Sequence, residues 1–368
     1  MNSRYRFTKR IPKLMLSLLL ISVFCCTGCS SGCFQKNTTS QTPAQVSSSG
    51  TGSGTQSVVA VVEKPLIQTQ KATDPRNGDY YITEYDKHGN VLYKGAFGRK
   101  GSRLWSETFT YDANDNLLTQ EYLSSNGKKN CTKKIYNSDG NLLEVYEGDD
   151  WDDLHTEREN IYEDGILTKE IWYEDEGGIW EIYYYEYEND LLTVKRKCSE
   201  DDYEYRRWTY TYDENGVLTM MTDVMYEHKT VEFYDEAGNV LRREYYAAED
   251  KLSGIDVCYY GPYGLEESFR YDENGYEESH GKSYYDDNGN CIKTVDVDKK
   301  GKEQIKSISE YDEAGNLLHS ESNFYYEYTA EYNEFGYITM ESRVDNNPLR
   351  GAGPIDELFE YEYVYFAN

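Results

Sequence analysis

The sequence predicts an all-β fold in which tandem antiparallel β-hairpin repeats form an elongated, coiled or curled meander sheet. Three observations support this prediction. Tyrosines recur at intervals of 21 to 26 residues, most of them open a turn-forming segment that ends in glycine, and a second turn signal falls between them. A fixed period of this length is typical of one supersecondary unit repeated many times. The pattern leaves open whether such a sheet closes. The eleven anchor tyrosines are Tyr85, Tyr111, Tyr136, Tyr162, Tyr187, Tyr212, Tyr234, Tyr260, Tyr285, Tyr311 and Tyr332.

The segment after most anchor tyrosines has the chemistry of a tight hairpin turn. In Asp86 to Gly89 and in Asp213 to Gly216, an aspartate is followed by two variable residues and a glycine. The aspartate accepts hydrogen bonds from backbone amides further along, and the glycine tolerates the positive φ that closes a type I turn into a bulge. Asp115 and Asp190 replace the closing glycine, and Asp can adopt the left-handed conformation at some cost. We therefore predict strand, turn, strand at each anchor.

The second turn signal lies about halfway along each repeat. It consists of glycines 15 or 16 residues after an anchor, namely Gly101, Gly127, Gly178, Gly275 and Gly301. Two turns per period give two strands per repeat, and hence about 22 strands in all. We assign the repeat array to residues 79–368, with Phe359 to Phe366 as a terminal strand.

Composition predicts a thin aromatic core and a strongly acidic surface. The formal net charge is −29, and aromatic residues make up 15% of the chain. Tyrosine buries a large ring while its hydroxyl stays hydrated, which suits a sheet buried mostly on one side. So acidic a surface repels nucleic-acid phosphates and favours cations, basic proteins or neutral ligands. We therefore expect no nucleic-acid partner.

Residues 1–28 have the pattern of a signal peptide. A basic segment precedes an apolar run, Leu14 to Phe24, which has signal-peptide length and is too short to span a bilayer as a helix. The sequence Thr27-Gly28-Cys29 then resembles a bacterial lipobox, which implies cleavage before Cys29 and lipidation of that cysteine, with Cys33 as the alternative acceptor. Residues 29–78, largely Ser, Thr, Gly and Gln in their first half, form a flexible tether. We expect a lipid-anchored, extracytoplasmic protein of a bacterial membrane; a cleaved secretory signal is the alternative.

The repeat region contains no residue pattern that indicates catalysis or a bound cofactor. Its five histidines are dispersed, and no pair among 67 acidic residues can be selected for glycoside hydrolysis. If the chain binds a metal ion, calcium is the best candidate, because the segments Asp149 to Asp153 and Asp112 to Asn116 offer oxygen ligands. However, Leu117 stands where a calcium-binding loop needs glycine. Acidic turn chemistry explains these residues without a metal, so we predict no catalytic residue, metal site or cofactor.

A cluster of aromatic residues is the best candidate for a binding site. Four of the five tryptophans fall between residues 151 and 208. Flat exposed rings stack on sugars and on extended peptides, and the broad face of a repeat array commonly serves for binding. The alternative is that these rings form the core and cross-strand pairs of the sheet. The predicted ligand-binding residues are Trp172, Trp180, Tyr183, Tyr185 and Trp208.

The segment Tyr210 to Leu218, Tyr-Thr-Tyr-Asp-Glu-Asn-Gly-Val-Leu, resembles the YD repeat of bacterial RHS and teneurin-like proteins. Similar segments run from Phe109 to Leu118 and from Glu310 to Leu318, and the resemblance covers roughly residues 79–345. It implies extracytoplasmic hairpin repeats used as shells, adhesins or carbohydrate-associated surface modules. No separate toxin-like domain follows the array, which argues against a role as a toxin shell.

These observations together predict a non-catalytic, surface-displayed repeat lipoprotein. Its partners would be the membrane, through the lipid anchor, and a glycan or protein ligand bound by the aromatic face of the sheet. Two alternatives remain. One is an acidic, immunity- or antitoxin-like partner of a basic toxin, and the other is a carbohydrate-active enzyme.

Overall fold

The computed structural model describes residues 64–322, 326–346 and 355–367. These residues form 24 β-strands and a short 3-10 turn at Ala248–Asp250. The strands are β1 (Ile67–Thr73), β2 (Tyr80–Tyr85), β3 (Val91–Phe97), β4 (Arg103–Tyr111), β5 (Leu117–Ser124), β6 (Lys129–Tyr136), β7 (Leu142–Gly148), β8 (His155–Glu163), β9 (Ile166–Tyr173), β10 (Ile179–Glu188), β11 (Leu191–Cys198), β12 (Glu204–Tyr212), β13 (Leu218–Met225), β14 (His228–Tyr234), β15 (Val240–Ala247), β16 (Lys251–Gly261), β17 (Gly264–Asp272), β18 (Glu277–Tyr285), β19 (Cys291–Val297), β20 (Glu303–Tyr311), β21 (Leu317–Ser322), β22 (Tyr326–Tyr332), β23 (Ile338–Asp345) and β24 (Ile355–Tyr365).

The 24 strands form one closed antiparallel sheet. Each strand pairs with its neighbours in the chain, and β1 pairs with both β2 and β24. Ala72 of β1 lies opposite Tyr81 on one side and opposite Tyr361 on the other. The all-β class and the antiparallel hairpins are confirmed, but the predicted elongated, coiled or curled meander is wrong. Closure pairs the backbone groups that the two edge strands of an open sheet would leave unsatisfied.

The turns after the anchor tyrosines are hairpin turns, as predicted. The Gly89 amide donates to the Asp86 carbonyl at 3.1 Å, and the Asp86 amide donates to the Asn90 carbonyl at 2.9 Å. Gly89 has a φ of 89°, as a type I turn closed by a bulge requires. Every such turn joins an even-numbered strand to the next odd-numbered strand, so all eleven lie at the same end of the sheet. We call this the tyrosine-turn end.

The anchor tyrosines also tie each hairpin to the one before it. The Tyr111 hydroxyl donates to the Val91 carbonyl at 2.9 Å, reaching back to the first residue after the previous turn. Five other anchor tyrosines make the equivalent bond: Tyr136 to Leu117, Tyr212 to Leu192, Tyr285 to Leu265, Tyr311 to Cys291 and Tyr332 to Leu317. The near-constant period therefore keeps these six phenols within reach of a backbone carbonyl of the preceding hairpin.

Two details of the turns bear on the sequence predictions. Asp115 and Asp190 have φ values of 64° and 65°, so both replace the closing glycine in the left-handed conformation, as predicted. The second turn of the fourth repeat closes one residue earlier than the predicted Gly178. Gly177, with a φ of 88°, closes this turn by donating its amide to the Glu174 carbonyl at 2.8 Å. Gly178 follows the turn and has no positive φ.

The two faces of the sheet differ in character. One face contains four buried carboxylates, and we call it the inner face: Glu107, Glu181, Asp256 and Glu341. On this face the Tyr81 ring lies 6.4 Å from the Trp105 ring and 5.7 Å from the Phe359 ring. Each of these contacts skips a strand, which is expected where side chains converge on the concave side of a closed sheet. The inner face therefore lines the interior.

Tyrosines and basic residues satisfy most of these buried charges. Glu341 accepts hydrogen bonds from Arg343 at 2.9 Å and from the Tyr361 hydroxyl at 2.5 Å. Asp256 accepts from the Tyr245 hydroxyl at 2.8 Å and from Arg270 at 3.2 Å. Such pairing is necessary because an unpaired charge removed from water is strongly destabilising.

The predicted aromatic core is wrong in composition. Among the described residues, the largest fully buried side chains are Val295, Cys131 and Cys198, and Tyr328 is the one tyrosine among the buried hydrophobic residues. Most rings are half-buried and lie along the faces of the sheet instead. A closed sheet with no layer packed against it buries small side chains best, because only neighbours on the same face cover them.

At its N-terminal end the array has one strand that the sequence does not predict, and at its C-terminal end the predicted strand is present. The sheet begins at Ile67, within the segment 29–78 that composition assigns to the tether. Strand β24 begins four residues before the predicted terminal strand and includes all of it except Phe366. The signal peptide, Cys29 and the tether up to residue 63 lie outside the described residues. Within the part of the chain that the structure describes, we find no helix able to cross a membrane.

Candidate ligand-binding pocket

A cavity of about 530 Å³ opens between β7 and β10, at the end of the sheet opposite the tyrosine-turn end. Two of the five predicted ligand-binding residues, Trp172 and Trp180, line it together with Tyr173 and His155. The remaining lining residues are all carboxylates: Glu147, Glu157, Glu174, Asp175 and Glu176. Its volume lies within the range of typical small-ligand sites.

Two β-bulges direct side chains toward this cavity. In the pairing of β9 with β10, Tyr173 lies opposite Ile179 and Trp172 opposite Glu181, which leaves Trp180 as the extra residue. In the pairing of β7 with β8, Glu157 is the extra residue in the same way. Bulges turn a side chain out of the regular alternation and are frequent beside binding sites. The spacing of residues in the sequence gives no signal for either bulge.

The electrostatics of the cavity are strongly acidic. Burial raises the pKa of the Glu157 carboxyl, and repulsion by Glu147 raises it further. His155 Nε2 lies 3.7 Å from Asp175 Oδ1. The described lining residues include no lysine or arginine. The cavity therefore concentrates negative charge beside two indole rings.

The two tryptophans present different surfaces to the cavity. Trp180 is 59% exposed, so much of its ring is available for contact. Trp172 is half-buried, and the Arg158 guanidinium lies 4.9 Å from its ring centroid. The Trp172 indole nitrogen is buried without a hydrogen-bond partner among the described residues. Trp180 is thus the ring best placed to stack on a ligand.

The other three predicted ligand-binding residues surround a lysine of the protein itself. Lys195 Nζ lies 4.7 Å from the Tyr183 ring centroid, 5.0 Å from that of Tyr185 and 5.5 Å from that of Trp208. Burial lowers the pKa of the Lys195 ammonium. Contacts at these distances are cation–π interactions, so an internal cation already occupies these ring faces.

Acidic turn residues elsewhere are engaged in hydrogen bonds of the fold. The Asp112 carboxylate accepts hydrogen bonds from the backbone amides of Asn114 and Asn116. Asp86, His88 and Asp115 have ligand atoms within 4.8 Å of one another, brought together by two adjacent turns. His88 Nδ1 lies 2.7 Å from Asp115 Oδ1, and this contact raises the pKa of His88. These side chains hold neighbouring turns together.

Comparisons with known proteins find weak structural likenesses only. No protein-family model matches the chain, and no curated protein matches it. A mutant of the Photorhabdus luminescens Tc holotoxin pore is similar at 13% identity and a TM-score of 0.35, over 79% of this chain and 18% of that chain. The TcdB2-TccC3 crystal structure is similar at 11% identity and a TM-score of 0.34, over 78% and 19%. A porin-like protein from Bacteroides uniformis is similar at 10% identity and a TM-score of 0.24, over 81% and 96%.

TM-scores of this size do not establish a common fold. The chain also spans less than a fifth of the length of the toxin-complex chains that it matches. The pairing of the strands and the turn hydrogen bonds of this chain establish its repeat architecture independently.

Proposed function

We propose that this chain is a non-catalytic binding module of YD-repeat type, which holds its ligand in the pocket formed by Trp172 and Trp180. The observation that carries the proposal is the largely exposed indole of Trp180 beside a cavity of ligand-binding size. Equivalent bulges leave Leu104, Tyr205 and Ser253 as extra residues in other strand pairs, and Trp180 differs from these in lining the cavity.

Arrays of glycans and of peptides, probed with the full chain, test this function. The expected result is a retained ligand class whose signal falls in the Trp180→Ala variant. Tyr276→Ala is the matched control, because Tyr276 is 70% exposed and does not line the pocket. If no ligand is retained, or if both variants bind equally well, the pocket is not the binding site.

We also propose that the module is displayed outside the cytoplasm on a lipid attached to Cys29. The support is the lipobox-like Thr27-Gly28-Cys29 after a basic and then apolar N-terminus. Metabolic labelling with a fatty-acid analogue in a bacterial host is expected to label the chain, and Cys29→Ala is expected to abolish labelling. A Cys33→Ala control should remain labelled; the opposite pattern would move the acceptor to Cys33.

The pocket also offers one observation in favour of a second candidate, a carbohydrate-active enzyme. Glu147 and Glu157 both line the cavity, and the pKa of Glu157 is raised, as a general acid requires. Hydrolysis of oligosaccharides by the full chain, lost in Glu157→Gln, would favour this candidate over a binding module. If a ligand is bound but not hydrolysed under the same conditions, the chain is not an enzyme acting on that ligand.

A further inference from the structure

The pocket of Trp172 and Trp180 has the chemistry of a cation site, and we propose that its ligand is a lysine or arginine side chain of a basic peptide segment. This inference rests on the proposed binding function and specifies the class of partner. Three features of the described structure support it: the charge of the lining, the protein's own use of the same groups, and the absence of a free strand edge.

The charge of the lining favours a cation over a neutral ligand. Five carboxylates face a cavity whose described lining contains no lysine or arginine. Glu147 and Glu157 repel each other there, and Arg158, Lys134 and His155 offset this repulsion only in part, because the pKa of Glu157 remains raised. An ammonium or guanidinium group would relieve this repulsion, whereas a neutral sugar would leave it in place. The exposed face of Trp180 beside the carboxylates adds cation–π attraction.

The same protein binds its own cations with this set of groups in the adjacent strands. Lys197 Nζ forms an ion pair with Glu181 and lies 5.4 Å from the Tyr183 ring centroid and 5.4 Å from that of Tyr205. It also lies 6.0 Å from the ring centroid of Trp180, the residue that lines the pocket. The pocket presents tryptophan, tyrosine and carboxylate side chains of the same kinds, and its described lining contains no lysine or arginine. The Arg158 guanidinium lies against the Trp172 ring, whereas the Trp180 ring is largely exposed. An external lysine or arginine would complete the pattern.

The topology indicates how a peptide would bind. Because β1 pairs with both β2 and β24, the closed sheet offers no edge strand to which a peptide strand could be added. Recognition must therefore occur through side chains at the end of the sheet, where the pocket opens. A cavity of about 530 Å³ accommodates a basic side chain together with part of its flanking backbone.

Isothermal titration of the full chain in detergent micelles tests the inference with three probes. They are the terminally blocked peptide Gly-Lys-Lys-Gly, the same peptide with both lysines acetylated on Nε, and a neutral hexasaccharide of N-acetylglucosamine. The charged peptide is expected to bind, and acetylation is expected to weaken binding about tenfold or more, because it removes both the charge and the cation–π contact. Added salt should also weaken binding of the charged peptide.

Two pocket variants and two controls locate the binding. Trp180→Ala and Glu157→Gln are each expected to weaken binding of the charged peptide about tenfold. The controls Tyr276→Ala and Glu214→Gln, both at exposed positions outside the pocket, should bind like the parent chain. Circular dichroism and the melting temperature establish that each variant is folded before titration.

The outcomes separate this inference from the proposed function. If the hexasaccharide binds in a Trp180-dependent way and the charged peptide does not, the cationic assignment is overturned while the binding pocket stands. If the acetylated peptide binds as well as the charged one, the assignment is overturned too. If no probe binds and the glycan and peptide arrays are empty as well, the proposed function itself fails.

Discussion

The Tyr111 hydroxyl donates a hydrogen bond to the Val91 carbonyl oxygen at 2.9 Å, across the boundary between two hairpins. The same bond recurs at five further anchor tyrosines, so a contact between neighbouring units accompanies six of the eleven anchors. The turn chemistry after the tyrosine shapes one hairpin, and the phenol places the next hairpin against it.

Tyr111→Phe should therefore destabilise the array without unfolding it. The substitution keeps the ring and removes one hydrogen bond, which typically contributes about 1 kcal/mol to the free energy of unfolding. Urea unfolding of the variant measures the loss. Tyr276→Phe serves as the control, because Tyr276 is 70% exposed. Equal stability of the Tyr111 variant and the parent chain would show that the contact contributes nothing.

The second prediction separates two adjacent glycines. Gly177 has a φ of 88°, a conformation that costs a residue with a Cβ atom roughly 1–2 kcal/mol, although no atom would obstruct that Cβ within 4 Å. Gly178 has no positive φ, and a Cβ there would meet only Glu174 Oε2 at 3.9 Å. Gly177→Ala should lower the free energy of unfolding by about 1 kcal/mol, and Gly178→Ala should leave it nearly unchanged. If Gly178→Ala were instead the more destabilising variant, Gly178 would close the turn, as the spacing in the sequence predicts.

That contrast shows which parts of the fold are predictable from sequence. The turn from Asp86 to Gly89 can be predicted because its geometry depends on four neighbouring residues, whose side-chain and φ preferences are local. The Gly177 turn differs from the predicted position by one residue, because two consecutive glycines, Gly177 and Gly178, satisfy the same local rule. Register with the partner strand decides between them, and register is not a local property.

Closure and the pocket depend on relations that no local pattern encodes. Pairing of β1 with β24 joins segments almost 300 residues apart, and it follows from the summed twist and curvature of all strands. The cluster of Trp172, Trp180 and Trp208 was visible in the sequence. Its division into a pocket and a set of rings around Lys195 was not, because the bulge at Trp180 arises from strand pairing.

The third prediction concerns the pH dependence of stability. Burial and then repulsion by Glu147 raise the pKa of Glu157 above its ordinary value of 4.5, against the opposing effect of Arg158, Lys134 and His155. The folded state therefore binds this proton more tightly than the unfolded state. The stabilising contribution is therefore complete below pH 4.5 and is lost as the pH rises through the folded pKa. The glutamine of Glu157→Gln cannot ionise, so this variant does not lose stability over the same pH range. Its melting temperature should exceed that of the parent chain at about pH 7 and match it at about pH 4.

Glu214→Gln is the control for this pH experiment, because Glu214 is exposed in a hairpin turn at the tyrosine-turn end. Its difference from the parent chain should not change with pH in this range. If Glu157→Gln were less stable than the parent chain at neutral pH, the Glu157 carboxylate would make a favourable interaction in the folded state. The conclusion that its ionised form is destabilised in the pocket would then be wrong.

The fourth prediction concerns a tyrosine at the edge of the pocket. Burial, and then a hydrogen bond from the Tyr173 hydroxyl to Glu159 at 3.0 Å, raise the pKa of Tyr173 to about 12. The stability from this raised pKa is present below pH 10 and is lost as the pH approaches 12. With tyrosine labelled at Cζ, the Tyr173 resonance, assigned from Tyr173→Phe, should stay at its un-ionised position at about pH 10.5. A resonance that shifts with an ordinary midpoint near pH 10 would contradict the hydrogen bond.

The final prediction tests closure of the sheet directly. Lys71 of β1 lies opposite Glu362 of β24, and their side chains form an ion pair at 3.4 Å. Opposed residues of antiparallel strands have Cα atoms roughly 4.5–5.5 Å apart, within the range that a disulfide can bridge. Lys71→Cys combined with Glu362→Cys should therefore crosslink on mild oxidation, with the bridge identified by peptide mass mapping.

The control for crosslinking pairs Lys71→Cys with Leu358→Cys, four residues away along β24. That offset separates the two positions by about 13 Å along the strand, which is too far for a disulfide. The first pair should crosslink and the second should not. An elongated sheet with β1 and β24 at opposite edges would crosslink neither pair within one chain, so the absence of the first crosslink would reverse the conclusion that the array is closed.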